Sequence, residues 1–293
     1  MNLKQLLHHF TNELIAIYDE QEIISIFNIT VEHISGFNRS QLMLNADAEI
    51  EDVKYNEYLL ALSRLKTGEP LQYVIGDTVF YGLTFKVSGA VLIPRPETEE
   101  LVDWVIERCG SDQSKTLKNG SILDIGTGSG CIAISLKKNL DNFKVSAIDV
   151  SESALAIASE NAQLNNAEIN FIHADILSYK STEMYDVIVS NPPYITMEEQ
   201  KAMHKNVLEN EPHLALFVSN EEPLIFYEAI AEFALRNLNE NGLLCFEINE
   251  YLGKETVQML SDKSFINIEL RKDMQGKDRM VLASGMKLRN DSF

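Results

Sequence analysis

The sequence predicts an α/β chain: a doubly wound, mostly parallel sheet with helices on both faces, preceded by a small helical bundle and a β-hairpin connector. Three observations carry the prediction. Ser121-Ile122-Leu123-Asp124-Ile125 is a short apolar strand that runs into Gly126-Thr127-Gly128-Ser129-Gly130 and then into the helix-compatible run Cys131 to Leu136, which is the strand, glycine loop and helix of a nucleotide site. Beyond residue 120, strand-like and helical stretches alternate to the end, the pattern of a parallel sheet with crossover helices. Before residue 75, the segments 3–17, 22–34 and 51–65 carry apolar stripes at helical spacing.

In chain order, residues 1–75 form the helical domain, and Gly68 with Pro70 ends its last long helix. Residues 76–95 form the connector, where Val79, Tyr81, Leu83, Phe85 and Val87 alternate and Gly82 allows a turn. Residues 96–293 form the α/β domain. Pro96 is suited to a first helical position, and Glu97, Thr98, Glu99 and Glu100 make a first turn that complements the helix dipole. Residues 110–120 are polar and linker-like.

A chain of 293 residues, 45% of them apolar, buries a sizeable core and fits two domains. No apolar run approaches a membrane span, and Leu3, Leu6, Leu7, Phe10, Leu14 and Ile17 follow helical spacing rather than a signal-peptide core. A cytoplasmic, monomeric protein is expected. Cys109, Cys131 and Cys245 are odd in number, widely spaced and embedded in apolar sequence, so buried free thiols are expected. Of the six histidines, His8-His9 reads as a polar helix edge and His204 and His213 as loop residues. No metal is assigned. The net charge is -19, and the first seventy residues hold five basic against eleven acidic side chains. That lacks the clustered Lys and Arg with which duplex DNA is held and suits a basic protein partner.

The candidate site begins at the glycine loop. Glycines let the backbone approach a ligand without a Cβ collision, so Gly126, Thr127, Gly128, Ser129 and Gly130 are cofactor-binding candidates. Such a turn also fits a dinucleotide dehydrogenase, although the G-x-G-x-G spacing leans away from a pyrophosphate cradle. Asp149 ends the next strand, where a carboxylate accepts from both ribose hydroxyls; it reads equally as a helix cap for the segment from Ser151. His173-Ala174-Asp175-Ile176 closes a third strand, and there Asp175 can accept from an adenine amino group while Ile176 packs on its face.

Asn191-Pro192-Pro193-Tyr194 follows the apolar run Val187-Ile188-Val189-Ser190 and speaks to the chemistry. An amide or exocyclic amino nitrogen is a poor nucleophile because its lone pair is delocalised. Two fixed acceptors can grip its two N–H donors and turn that lone pair toward an electrophile. Asn191 supplies a side-chain oxygen. Pro192 supplies a carbonyl held extended by Pro193 and unsuited to a helix. Tyr194 offers a flat face for a planar group. Asn191 and Pro192 are the catalytic candidates, and Asn191, Pro192, Pro193 and Tyr194 the substrate-binding ones. The ordinary reading is a Pro-Pro turn closing a strand.

Four further stretches narrow the choice: Leu71 to Gly76, Phe80 to Phe85, Val91-Leu92-Ile93-Pro94-Arg95-Pro96-Glu97-Thr98-Glu99, and Gly276-Lys277-Asp278-Arg279. With the glycine loop, the acidic strand end and Asn191 to Tyr194, they make the chain resemble the HemK/PrmC family, class I S-adenosylmethionine-dependent methyltransferases that modify a glutamine of peptide chain release factors. The similarity spans residues 71–279. It implies a seven-stranded Rossmann-like methyltransferase domain, S-adenosyl-L-methionine as cofactor with Asn191 beside its methionine part, and an N-terminal domain that recognises substrate. It also implies methylation of the N5 amide nitrogen in the Gly-Gly-Gln motif of class I release factors. Two places depart from the family pattern: Asn249 stands after Glu247-Ile248 where glycine is common, a residue tolerant of a left-handed turn, and 217–223 replaces a glycine-rich piece. Two other readings stand beside this one: an adenine-N6 or other nucleic-acid amino-methyltransferase, whose target amine has the same two donors, and a non-catalytic nucleotide-binding protein.

Overall fold

The structure, a computed structural model, describes residues 1–110, 119–203 and 205–285; most of the polar stretch at 110–120 and His204 lie outside the described residues. The apolar stripes of the first segment become helices Leu3–Leu14, Glu20–Ser35 and Asp52–Leu65. Their buried faces meet in a core that includes Leu6, Phe10, Phe27 and Tyr58, with Phe10 and Phe27 edge to face at 5.3 Å. The first helix stops at Leu14 rather than near Ile17, because Asp19 takes the extended cap conformation and accepts the Glu22 N–H of the next helix. Two short helices go beyond the expectation. Arg39–Leu44 starts at a capping box of Asn38 and Gln41, and Leu71–Ile75 follows Pro70 and ends at Gly76 with φ 87°.

The chain divides into two compact units, the first reaching Asp77. Helix Lys205–Asn210 belongs with this first unit, although 96–293 reads from sequence as one domain. Its Asn210 amide donates to the Gly68 carbonyl at 3.2 Å and its Asn206 amide to the Tyr18 hydroxyl at 3.5 Å.

The hairpin pairs Asp77–Phe80 with Leu83–Lys86. Its alternation is not continuous. Tyr81 and Gly82 form the turn at φ 51° and 72°, the conformation of a tight two-residue hairpin, and such a turn shifts the phase between the strands. Phe80, Phe85 and Val87 are therefore buried while Val79 is exposed; Tyr81 lies only half-buried at the turn.

Seven strands form the main sheet: β1 Ser121–Ile125, β2 Lys144–Asp149, β3 Ile169–His173, β4 Tyr185–Ser190, β5 Leu238–Glu247, β6 Glu269–Lys272 and β7 Asp278–Ser284. Their order is β6-β7-β5-β4-β1-β2-β3. The five strands from β5 to β3 are parallel, and β7 runs antiparallel to both neighbours. Alternate residues bury into two cores, as a sheet covered on both faces requires. Ile122, Val145, Val187 and Val189 meet helices Pro96–Gly110 and Cys131–Asn139, and Leu123, Ile148, Ile188 and Leu244 meet helix Ile225–Asn237 on the other side.

Helix Pro96–Gly110 carries Trp104, 3% exposed, with the guanidinium groups of Arg108 and Arg271 at 5.8 and 5.5 Å from its ring. Cys109, Cys131 and Cys245 are buried free thiols, as their apolar surroundings predict.

β1 sends its helix toward β2 on one side, while β4 lies on the other. The carboxyl ends of β1, β2 and β4 flank this switch point, where doubly wound sheets bind ligands. Gly130, at φ 82°, opens helix Cys131–Asn139. A Cβ there would stand 3.0 Å from Ile134 Cδ1 and 3.2 Å from Ala158 Cβ, so this glycine serves helix packing. Gly130→Ala is expected to lower stability by at least about 1–2 kcal/mol, the left-handed cost alone. A lowered urea midpoint checks it; an unchanged midpoint refutes the packing role.

Candidate functional site

A cavity opens over the carboxyl ends of β1, β2 and β4, lined among others by Gly126, Gly128, Asp149, Asp175, Asn191 and Pro192. Thr127, Ser129, Ile176 and Pro193 also line it. The sequence-selected residues thus converge on one wall system, with two exceptions. Gly130 packs between helices, and Tyr194 stands outside the lining because its hydroxyl donates to the buried Glu247 carboxylate at 3.2 Å.

Gly126 and Gly128 have φ 73° and 55°, and nothing lies within 4 Å of where their Cβ atoms would be, so the loop leaves its backbone open. The loop is tied down from below. Gly126 and Thr127 N–H groups both donate to the Ile148 carbonyl at 2.9 and 3.0 Å. Asp124, fully buried, receives the Thr127 hydroxyl at 2.6 Å and the Ala133 N–H at 3.2 Å on one oxygen, while its other oxygen has no partner among the described residues. Burial pushes its carboxyl up to about 7 against the pull of those two bonds. Sequence reading passed over Asp124 as a strand residue; the signal was an acid inside an otherwise apolar strand.

Asp149 is half-buried at the end of β2. It accepts the Gly128 N–H at 2.8 Å on one oxygen and the Ser151 N–H at 2.9 Å on the other. It is not the helix cap: Ser151 is, accepting the Ala154 N–H. A carboxylate has about four lone-pair positions, so each oxygen keeps capacity for a hydroxyl. Burial raises its pKa, partly offset by the backbone bonds. Asp175 is exposed beyond β3 and accepts the Leu177 N–H at 2.9 Å.

Asn191 donates its side-chain Nδ2 to Thr98 Oγ1 at 3.2 Å, and Thr98 donates in turn to Glu247 Oε2 at 2.6 Å. Nothing among the described residues is hydrogen-bonded to Asn191 Oδ1, and no backbone N–H is bonded to the Pro192 carbonyl. Asn191 and Pro192 both line the cavity, and each keeps an acceptor with no partner among the described residues. Arg95, another lining residue, is bound through one guanidinium nitrogen to both oxygens of the buried Glu211, at 2.6 and 2.7 Å. The first turn of helix Pro96–Gly110 is more than a dipole cap: Glu99 accepts the Tyr81 N–H at 2.6 Å and Thr98 joins the site. Sequence reading missed Thr98, Glu247 and Arg95 as partners because each lies far along the chain from what it holds.

Asn249 does not take a left-handed turn; it is absent from the residues with positive φ. Its amide donates to the Tyr194 carbonyl at 3.0 Å and meets both oxygens of Glu199 at 3.0 and 3.1 Å. In the departing segment, Phe217–Val218 pairs in parallel with Ile195–Thr196.

A family model described as Methyltransferase small domain matches residues 111–215, and one described as PrmC N-terminal domain matches residues 5–76. A release factor glutamine methyltransferase of Flavobacterium psychrophilum is 50% identical over 282 residues, covering 96% of this chain and 98% of the relative. The chain belongs to the release factor glutamine methyltransferase family. Another member, from Bacteroides thetaiotaomicron, is 39% identical over 96% of this chain and all of its own length. The hMettl16 catalytic domain, solved with an RNA hairpin, shares the fold at TM-score 0.54 and 16% identity, over 80% of this chain and 82% of that one.

The methyl donor of this family is S-adenosyl-L-methionine, and the residues present fit it. The open glycine loop leaves room for the donor's backbone-like amino acid part, Asp149 keeps acceptors for ribose, and the half-buried Ile176 offers an apolar face. Among the described residues, no group of three or more His, Cys, Asp or Glu is placed to hold a metal, and no helix is long and apolar enough to cross a membrane.

Isosteric Asp149→Asn is expected to weaken S-adenosylhomocysteine binding about tenfold or more, since a hydrogen bond to a charged group is worth about 1.5–3 kcal/mol. Calorimetric titration checks it, and unchanged affinity removes Asp149 from the cofactor site. The folded chain holds the Asp124 proton up to about pH 7, whereas the unfolded chain releases it near 3.9. Asp124 therefore lowers stability progressively as pH rises from about 4 to about 7. Comparing unfolding midpoints across that window, Asp124→Asn should show a shallower fall than the parent; parallel curves would contradict it.

Proposed function

We propose that this chain transfers the methyl group of S-adenosyl-L-methionine directly, in line, to the side-chain amide nitrogen of the glutamine in the Gly-Gly-Gln motif of class I peptide chain release factors. The observation that carries this reading is the pair of unclaimed acceptors, Asn191 Oδ1 and the Pro192 carbonyl, on a cavity that also holds the glycine loop and Asp149. The relative named release factor glutamine methyltransferase, 50% identical over nearly the full length of both chains, supports the same substrate class.

When bound, the sulfonium donor supplies an electrophilic methyl group together with its own leaving group. The chain's contribution is positioning, which can account for several kcal/mol of a barrier. Asn191 Oδ1 and the Pro192 carbonyl accept the two N–H bonds of the amide, fix its plane and relieve positive charge growing on nitrogen. The methylated amide loses a proton readily afterwards, so no base is required at these atoms. In this reading Gly126, Thr127, Gly128, Ser129, Asp149, Asp175, Ile176 and Asn191 hold the donor.

The helical domain, residues 1–75, is the substrate-recognition element, joined by the connector 76–95 to the methyltransferase domain 96–293. It exposes Met43, Leu44, Val53 and Leu60, each more than 60% accessible, and an excess of acidic over basic side chains. The net charge of -19 opposes a nucleic-acid substrate. The protein acts in the cytoplasm, where release factors work, and without nucleic acid of its own.

Mass spectrometry of a purified release factor incubated with the protein and labelled donor tests the reading. A methylated Gly-Gly-Gln peptide is expected, and methylation of duplex DNA in its place would overturn the assignment. Asn191→Ala should reduce the single-turnover rate about a hundred- to a thousandfold, as removal of one preorganised hydrogen-bonding group does elsewhere, with a smaller loss of donor affinity. A fall of less than about tenfold would make Asn191 structural.

A further inference from the structure

Asn191 can serve as an acceptor only if its amide is turned one way. The alternative rotamer, flipped by about 180°, places an NH2 group where the oxygen should be and opposes a donor to the substrate N–H that Oδ1 would accept. Shape alone distinguishes the two poorly, because amide oxygen and nitrogen are nearly the same size. What separates them is the group behind.

That group is Thr98, on the first turn of helix Pro96–Gly110. Its hydroxyl has one proton. The carboxylate of Glu247, at the end of β5 and 2% exposed, takes that proton at 2.6 Å. The other Glu247 oxygen is faced by the Tyr194 hydroxyl at 3.2 Å, and the phenol is pushed well above its ordinary pKa by burial and by Glu247, so it too remains a donor. Burial holds the Glu247 carboxyl above its ordinary range, against the pull of the Thr98 hydroxyl, the Arg279 guanidinium and the Tyr194 hydroxyl; with an O–H aimed at each of its two oxygens, the group meets both neighbours as an acceptor. With its proton committed to Glu247, Thr98 Oγ1 is left with lone pairs toward Asn191. It can then accept only from Nδ2, at 3.2 Å, and Oδ1 turns to the cavity.

We infer that Thr98 and Glu247 are positioning residues for methyl transfer, a one-way hydrogen-bond relay in which a buried carboxylate at the foot of β5 fixes the orientation of the Asn191 amide. The relay needs an acceptor that cannot donate. Glu247→Gln can do either, so it no longer obliges the Thr98 proton to point away from Asn191, and the amide loses its fixed orientation. The inference rests on the methyltransferase reading, and its test separates the two.

Single-turnover rates at saturating donor and release factor are compared for the parent, Thr98→Val, Thr98→Ser and Glu247→Gln. Thr98→Val keeps the side-chain shape and loses the hydroxyl, and it should slow the rate at least about tenfold with donor affinity within about threefold, as expected when alignment alone is lost. Glu247→Gln should behave alike, and Thr98→Ser should restore most of the rate. In parallel, the side-chain 15N amide pair of Asn191, identified by its absence in Asn191→Ala, is followed by hydrogen exchange. It should exchange slowly in the parent and in Thr98→Ser and faster in Thr98→Val. A Thr98→Val rate within about threefold of the parent, or an Asn191 amide whose exchange is indifferent to Thr98, overturns the relay. A parent that leaves release factor unmethylated refutes the functional reading, and the exchange measurement still decides the relay. Should Glu247→Gln fail to fold, the Thr98 pair decides.

Discussion

Parallel strands keep a common register, and the chemistry of this chain depends on that constraint. Ile125 pairs with Ile148 on one side and with Ser190 on the other, so β1, β2 and β4 end at one level. The loop after β1, the carboxylate ending β2 and the asparagine after β4 are thereby delivered to the same cavity from positions up to sixty-five residues apart in sequence. The cross-ties confirm how closely the ends are coupled. Ser190 Oγ donates to the Ile125 carbonyl at 2.6 Å, and the glycine loop hangs from Ile148 and Asp149.

Buried polar groups cost stability unless they are paired, and here they gather at the site. Asp124, Thr98, Glu247 and Glu211 are all nearly inaccessible, and each holds a piece of irregular backbone or a side chain at the cavity. Asn249 extends the same logic outward. It carries the Tyr194 carbonyl and the Glu199 carboxylate together, and Glu199 in turn receives the Thr196 N–H and hydroxyl, both at 2.8 Å. A side chain here replaces the conformational freedom that a glycine would give, and the segment after Tyr194 is fixed by hydrogen bonds rather than by a turn.

Local signals were legible in the sequence wherever one period or one spacing governed a segment. Strand β1 and helix Pro96–Gly110 begin where their apolar runs and proline place them, and the glycine loop, Asp149 and Asn191 are found at one cavity. The hairpin phase was not legible, because a turn at Tyr81 and Gly82 resets the alternation that the residues suggest. Nor was the first unit's claim on helix Lys205–Asn210, since that depends on contacts with residues far earlier in the chain. Thr98 read as part of a helix start, and only the fold shows its hydroxyl 149 residues from its acceptor. Tyr194 read as a platform, whereas its hydroxyl is drawn to Glu247.

Trp104 is the single tryptophan of the chain, and it lies in the second unit, flanked by two guanidinium groups. The first unit has tyrosine and phenylalanine but no indole. Emission excited selectively at the indole therefore reports the state of the methyltransferase unit alone, leaving the helical unit optically silent. Its wavelength is set by the two cations and by an apolar helix face, so a shift to the red marks opening along the β6 side of the sheet. Set against far-ultraviolet dichroism, which counts the helices of both units, one intrinsic probe can tell whether the two units of this chain melt together or in turn.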